Sequence, residues 1–133
     1  MSNKKLDNNP RIIVIQKLYS YFLNKESKIT YAKHRYKKFI KDTVSGTIER
    51  EEFIMEKLKE ILNEDFNPSR TDLILKLMIL SASFELIFVH KTPVNVVVSE
   101  YIKISDFFLE TAHKGYLNAI LDKVSKNVRK EKN

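Results

Sequence analysis

Apolar positions recur at helical spacing along nearly the whole chain, and one stretch, Leu73 to Val89 (LILKLMILSASFELIFV), is apolar on almost every side. A helix of that kind must be packed on almost every side, so it is read as the central helix of the fold. Lys76 and Glu85 within it, and its modest length, make it a poor membrane span. Upstream, Ile12, Ile15, Leu18, Tyr19 and Phe22 predict a first helix from Arg11 to near Asn24, with Asn8 or Asn9 as its cap and Pro10 at its start. Ala32, Tyr36, Phe39 and Ile40 share a face and predict a second helix over Ile29 to Asp42. Ser45-Gly46 reads as a break, Thr47 as the cap of a third helix, and Ile54, Leu58, Ile61 and Leu62 as that helix's buried stripe. The run from Asn63 to Thr71 contains Pro68 and reads as a loop, after which Thr71 or Asp72 caps the central helix. Thr92-Pro93 is a stop and restart, with Thr92 as cap and Pro93 in the first turn of a fifth helix that buries Val94, Val97, Val98, Tyr101 and Phe108. Thr111 caps a last helix carrying Tyr116, Leu117, Ile120, Leu121 and Val124, before a basic tail expected to fray.

Two glycines and three prolines in 133 residues cannot supply the tight turns of an all-β fold, so the chain is all-α. Its length fits one domain over 1–133, with flexible flanks at 1–9 and 126–133. With no cysteine there is no disulfide, thiol nucleophile or thiolate metal site, and an N-terminus without an apolar run lacks the pattern of a signal peptide. A cytoplasmic protein is expected. The net charge of +7 is unevenly placed: residues 1–41 hold eleven Lys/Arg against two acids, residues 42–72 four against nine. A basic end beside an acidic middle suggests one surface for a polyanion and another for a basic partner, although solvated helix faces produce the same imbalance.

Candidate catalytic chemistry is sparse. His34, His90 and His113 have no second ligand at helical metal-site spacing, and no phosphate-cradling glycine loop or nucleophile elbow is present. No catalytic residue, metal or cofactor is expected, and the chain is read as a binding protein, not an enzyme. Lys33, Lys37 and Lys38, interleaved with Tyr31, Tyr36 and Phe39, have the composition of a single-stranded RNA site, where charge holds the backbone and aromatics stack on bases. At this spacing Tyr36 and Phe39 serve a core more often.

The C-terminal half carries a resemblance. Phe84-Glu85-Leu86, Thr92-Pro93-Val94, Ser99-Glu100 and the run Tyr116-Leu117-Asn118-Ala119-Ile120-Leu121-Asp122-Lys123, together with Gln16, Leu18 and Tyr19 in the first helix, resemble the NusB family of transcription antitermination factors. The resemblance implies two small helical bundles around a long central helix. It also implies binding of boxA-type single-stranded RNA in nascent ribosomal transcripts, together with NusE, a protein of the small ribosomal subunit. The pair would then join an antitermination complex on RNA polymerase. The acidic middle, through Glu49, Glu51, Glu52 or Glu56, would face that basic partner.

The RNA-facing positions depart from the family pattern more than the fold-determining ones. The family's N-terminal arginine run falls on Asp7-Asn8-Asn9, leaving Lys4, Lys5 and Arg11; its C-terminal lysine is Gly115, its aromatic is Tyr116, and its asparagine is kept as Asn118. Fewer cations weaken phosphate contacts. Lys4, Lys5, Arg11 and Tyr116 are therefore the expected RNA contacts, with Lys33, Lys37 and Lys38 as a compensating patch and Asn118 as an eighth candidate, whose side chain can also hold local structure. Two alternatives stay open: a protein-interaction module of the same fold without RNA specificity, and a stand-alone relative of the N-terminal domain of rRNA cytosine methyltransferases.

Overall fold

The computed structural model describes residues 8–129, and within them every regular element is helical. Six α-helices follow in order: α1 Pro10–Leu23, α2 Lys37–Glu49, α3 Glu51–Leu62, α4 Leu73–Phe88, α5 Val94–Phe108 and α6 Thr111–Val128. Two short 3-10 turns, Asn63–Asp65 and Pro68–Arg70, occupy the predicted loop before α4. No helix among the described residues is long and apolar enough to cross a membrane.

The central helix is α4, buried on all sides from Leu77 to Leu86. On one flank it packs against α1 and α2, and on the other against α3, α5 and α6, so the two bundles share it as a common wall. Asp72 caps it, accepting from the Leu75 amide at 3.2 Å, and Asn9 caps α1 in the same way through the Arg11 amide at 2.9 Å. Thr92 and Thr111 do not cap: Pro93 and Glu110 hold those positions, without a side-chain bond.

The N-terminal bundle corrects the predicted boundaries. Residues 24–36 form an irregular strap and α2 begins only at Lys37. In the strap Ile29 and Tyr31 tuck against the core while Thr30 and Ala32 face solvent, which is the alternation of an extended chain, and Lys33 and Tyr36 beyond them are exposed. The true stripe of α2 continues from Ile40 through Thr43 and Val44 to Gly46 and Thr47, across the supposed break. Gly46 lies against the Phe84 ring, and a Cβ there would fall inside the van der Waals radius of that ring. Thr47 is buried mid-helix and caps nothing.

The chain past Lys126 is helical through Val128 and does not fray there. The Arg129 guanidinium donates to the carbonyls of Leu86 at 2.8 Å, Val89 at 2.7 Å, Glu85 at 3.0 Å, and Thr92. These include last-turn acceptors that a helix cannot satisfy internally, so α6 ends by capping α4.

Candidate nucleic-acid and partner interfaces

Of the eight residues expected at RNA, Lys4 and Lys5 lie outside the described residues, and the other six do not form one patch. Arg11 is turned inward. The first turn of α1 aims it at α4, where its Nε and Nη2 donate to the two carboxylate oxygens of Glu85 at 2.9 and 2.5 Å. Its residue exposure is 9%, that of Glu85 is 0%, and Phe39 covers the guanidinium with its ring centroid 4.8 Å away. Tyr101 completes the site by donating to Glu85 Oε2 at 2.5 Å, which leaves the Ser81 hydroxyl to donate to the phenol oxygen at 2.6 Å. Burial works against the Arg11 charge, but the hydrogen bond to Glu85 and its carboxylate outweigh it and hold the pKa above its ordinary value. Breaking such a buried pair costs about 3–5 kcal/mol, more than a solvated phosphate contact returns. The expectation that Arg11 meets RNA directly is corrected on that ground: it joins α1 to α4 and α5.

The strap and the start of α2 hold the exposed cations. Lys33, Lys37 and Lys38 stand together there, and Lys38 is paired with Asp42 at 2.6 Å. His34 fastens the strap: its Nδ1 accepts from the Tyr36 amide at 2.9 Å, so its Nε2 carries the proton toward the Asn8 carbonyl at 3.0 Å. Between α1 and this strap lies a groove of about 230 Å³ with Ile13 and Ile40 in its floor and Tyr31 in its wall. Lys17, which sequence reasoning did not single out, lies 6.0 Å from the Tyr31 ring centroid. The clue was present in the chain: Lys17 follows Ile13 by one turn of α1.

Tyr116 and Asn118 sit on α6 in the other bundle, away from the strap. Two residues apart on a helix, they point to different sides. Tyr116 donates to the Asp65 carbonyl at 2.7 Å, and Lys123 meets the Asp65 carboxylate at 2.9 Å, so both pin α6 to the turn after α3. Burial, then the Asp65 charge, raises the Tyr116 pKa. Asn118 is exposed.

Glu49 closes α2, and Glu51, Glu52 and Glu56 lie along α3; all but the half-buried Glu51 are exposed. The structure adds what the charge pattern did not reveal. Phe53 is 52% exposed and Phe88 40%, their ring centroids are 5.7 Å apart, and the Arg50 guanidinium lies 4.8 Å from the Phe88 ring centroid. Two large aromatics at the surface beside acids have the composition of a protein contact, an apolar centre with a charged rim. Phe53 falls outside the Ile54–Leu58 stripe by its phase, a signal legible in the sequence. Phe88, at the end of an apolar run, gave none.

Among the described residues no group of three or more His, Asp or Glu side chains is placed to hold a metal ion. A family model described as the NusB family matches residues 8–126. The chain is 34% identical over 88 residues to the transcription antitermination protein NusB of Mesorhizobium japonicum, an alignment covering 66% of this chain and 57% of that protein. It is 31% identical over 93 residues to the protein of the same name from Sphingopyxis alaskensis, covering 70% of this chain and 62% of the relative. The matched region thus spans little more than half the length of these relatives. The fold is that of NusB from T. maritima, with a TM-score of 0.78 at 18% identity over 95% of this chain and 93% of that one.

Proposed function

This chain belongs to the NusB family, and from that premise we propose that it is a transcription antitermination factor that binds boxA-type single-stranded RNA of nascent ribosomal transcripts together with NusE. The observation that carries the reading is the separation of charge between the strap with the start of α2 and the α2–α3 junction with α3. Lys33, Lys37 and Lys38 crowd the strap and α2 start beside α1, whereas Glu49, Glu52 and Glu56 flank Phe53 at α3. Electrostatic capture of a phosphate backbone on the first surface leaves the second free for a basic protein, with Phe53 and Phe88 as its apolar anchors. In this scheme Lys4 and Lys5 add further phosphate contacts, Arg11 positions α1, and Tyr116 and Asn118 contribute at a separate edge. The NusE-bound form is then what an antitermination complex on RNA polymerase recruits.

A second reading, a protein-interaction module without RNA selectivity, is favoured by one observation: the only arginine left near the family's arginine run is engaged inside the protein. The two separate in one experiment. Binding of a labelled boxA-like RNA and a scrambled control is measured with and without NusE, at low and physiological salt. Selective binding strengthened by NusE is the expected result. Equal, weak and salt-sensitive binding of both RNAs would give first place to the interaction module.

A further inference from the structure

We infer that the groove between α1 and the strap is a subsite for one RNA base, with Tyr31 as the stacking platform and Lys17, Lys33 and Lys37 as the flanking phosphate contacts; the inference rests on the RNA-binding reading above. The surrounding chain sets the electrostatics. Residues 24–41 hold seven Lys/Arg against one acid, the densest run of cations among the described residues. Five lysines elsewhere are matched by neighbours, Lys38 by Asp42, Lys57 by Glu60, Lys114 by Asp106, Lys123 by Asp65 and Lys126 by Asp122, and the other lysines outside the groove stand apart along the chain, not gathered around one cavity. Among the described residues no acid stands within ion-pair distance of the three lysines that rim this groove. Three cations in one place, without an acidic partner among the described residues, favour an anionic ligand.

The interior selects which anion. Ile13, Ile40 and Ala32 line it, so its floor is apolar, and its volume of about 230 Å³ is below the roughly 300–1,000 Å³ of pockets that enclose whole small molecules. A single flat ring fits that description, and phosphates on either side of it fall to the rim. Gln16 at the edge offers an amide that both donates and accepts, the groups a base edge presents. Tyr31 packs against the core, and its ring centroid lies 6.0 Å from the Lys17 ammonium, so a base entering exchanges a weak cation–π contact for stacking and frees the ammonium for phosphate. The walls are held in place beforehand: His34 bridges Asn8 and Tyr36, and Ile29 anchors the strap to the core. An acidic peptide would satisfy the rim and leave the floor empty, which is why RNA is preferred.

The test uses the full chain and a boxA-like RNA series, each member carrying one photoreactive 4-thiouridine. One position is expected to cross-link to the peptide containing Tyr31. Tyr31→Phe should keep wild-type affinity, and Tyr31→Leu should lose on the order of tenfold. Should Tyr31→Leu unfold, Ala32→Glu places a carboxylate at the groove mouth from an exposed position and should lose at least as much. Wild-type RNA binding that neither Tyr31→Leu nor Ala32→Glu alters, with cross-links elsewhere, overturns the subsite and leaves the RNA-binding reading intact. Competition by poly-glutamate as strong as by unlabelled RNA overturns it in favour of an acidic peptide. Failure of wild type to bind any RNA of the series removes both.

Discussion

Glu85 has no exposed surface, yet its carboxylate is matched: two donors come from Arg11 and one from Tyr101, which is itself supplied by Ser81. The charge therefore remains in the core without the penalty of an orphaned ion. Tyr101 reports on this arrangement. Complete burial, and then the Glu85 carboxylate, push its phenol well above the ordinary value near 10, and the Arg11 charge only partly opposes them. A folded pKa above the unfolded one means the native state holds the proton more tightly. That stability is fully present below the unfolded value of about 10 and is lost as pH rises from there toward the folded value. Tyr101→Phe removes the titration and one donor to Glu85, which costs about 1–3 kcal/mol at neutral pH. Urea midpoints of wild type and Tyr101→Phe should therefore differ most from near neutral to pH ~9, and the gap should narrow above about 10. A gap constant across that alkaline range would show that Tyr101 titrates alike in both states.

At the scale of elements, two contacts decide how the bundles seat on α4. Gly46 lets α2 approach Phe84 closely, and because α2 is regular there its value lies in the missing Cβ. Gly46→Ala gains about 1 kcal/mol of helix propensity but overpacks the interface, which costs about 1–3 kcal/mol. The net expectation is a lower Tm for Gly46→Ala, recovered in part by Gly46→Ala/Phe84→Leu; equal Tm values for wild type and Gly46→Ala would refute the close fit. Arg129 does the corresponding work from α6, at the same C-terminal end of α4. Burial lowers its pKa, but the planar guanidinium still spreads several donors over separate carbonyls, which a lysine ammonium cannot do from one point. Arg129→Lys should destabilise by about 1–2 kcal/mol in denaturant titrations although charge is conserved. These contacts also mark what the sequence could convey. Helices α1, α5 and α6 were legible because their apolar residues keep one period over several turns, and α4 because a run apolar on almost every side must be packed on every side. The second helix was misplaced because Ala32 and Tyr36 matched a helical phase that the chain uses in extended form, and because Gly46 read as punctuation when it was a packing residue. Arg11 gave no sign of its burial, since its partner Glu85 is 74 residues away in the chain. The Lys33–Lys37–Lys38 cluster was visible because it is local. The groove behind it was not, because it needs α1 and the strap side by side.

For the whole molecule, the shared central helix makes the two bundles one body carrying two oppositely charged surfaces, and this leads to a prediction about how binding events separate. Each phosphate contact to a single strand contributes about −0.7 to the slope of log K against log salt. If Lys33 and Lys37 each hold one phosphate, Lys33→Gln/Lys37→Gln should flatten that slope by about 1.4 units. The same variant should leave the increment added by NusE in place, because Glu52 and Glu56 lie on the other bundle. Glu52→Lys/Glu56→Lys should behave in reverse, sparing the salt slope for RNA alone and abolishing the increment. Fluorescence anisotropy over a salt series, with and without NusE, reads both quantities from the same samples. Loss of slope and increment together in either double variant would mean that RNA and protein meet on one surface, and the division of labour between strap and α3 would have to be abandoned. Loss in the crossed pattern would show that the fold keeps its polyanion and its basic partner apart by using α4 as a spacer, with Arg11 and Arg129 holding that spacer at its two flanks.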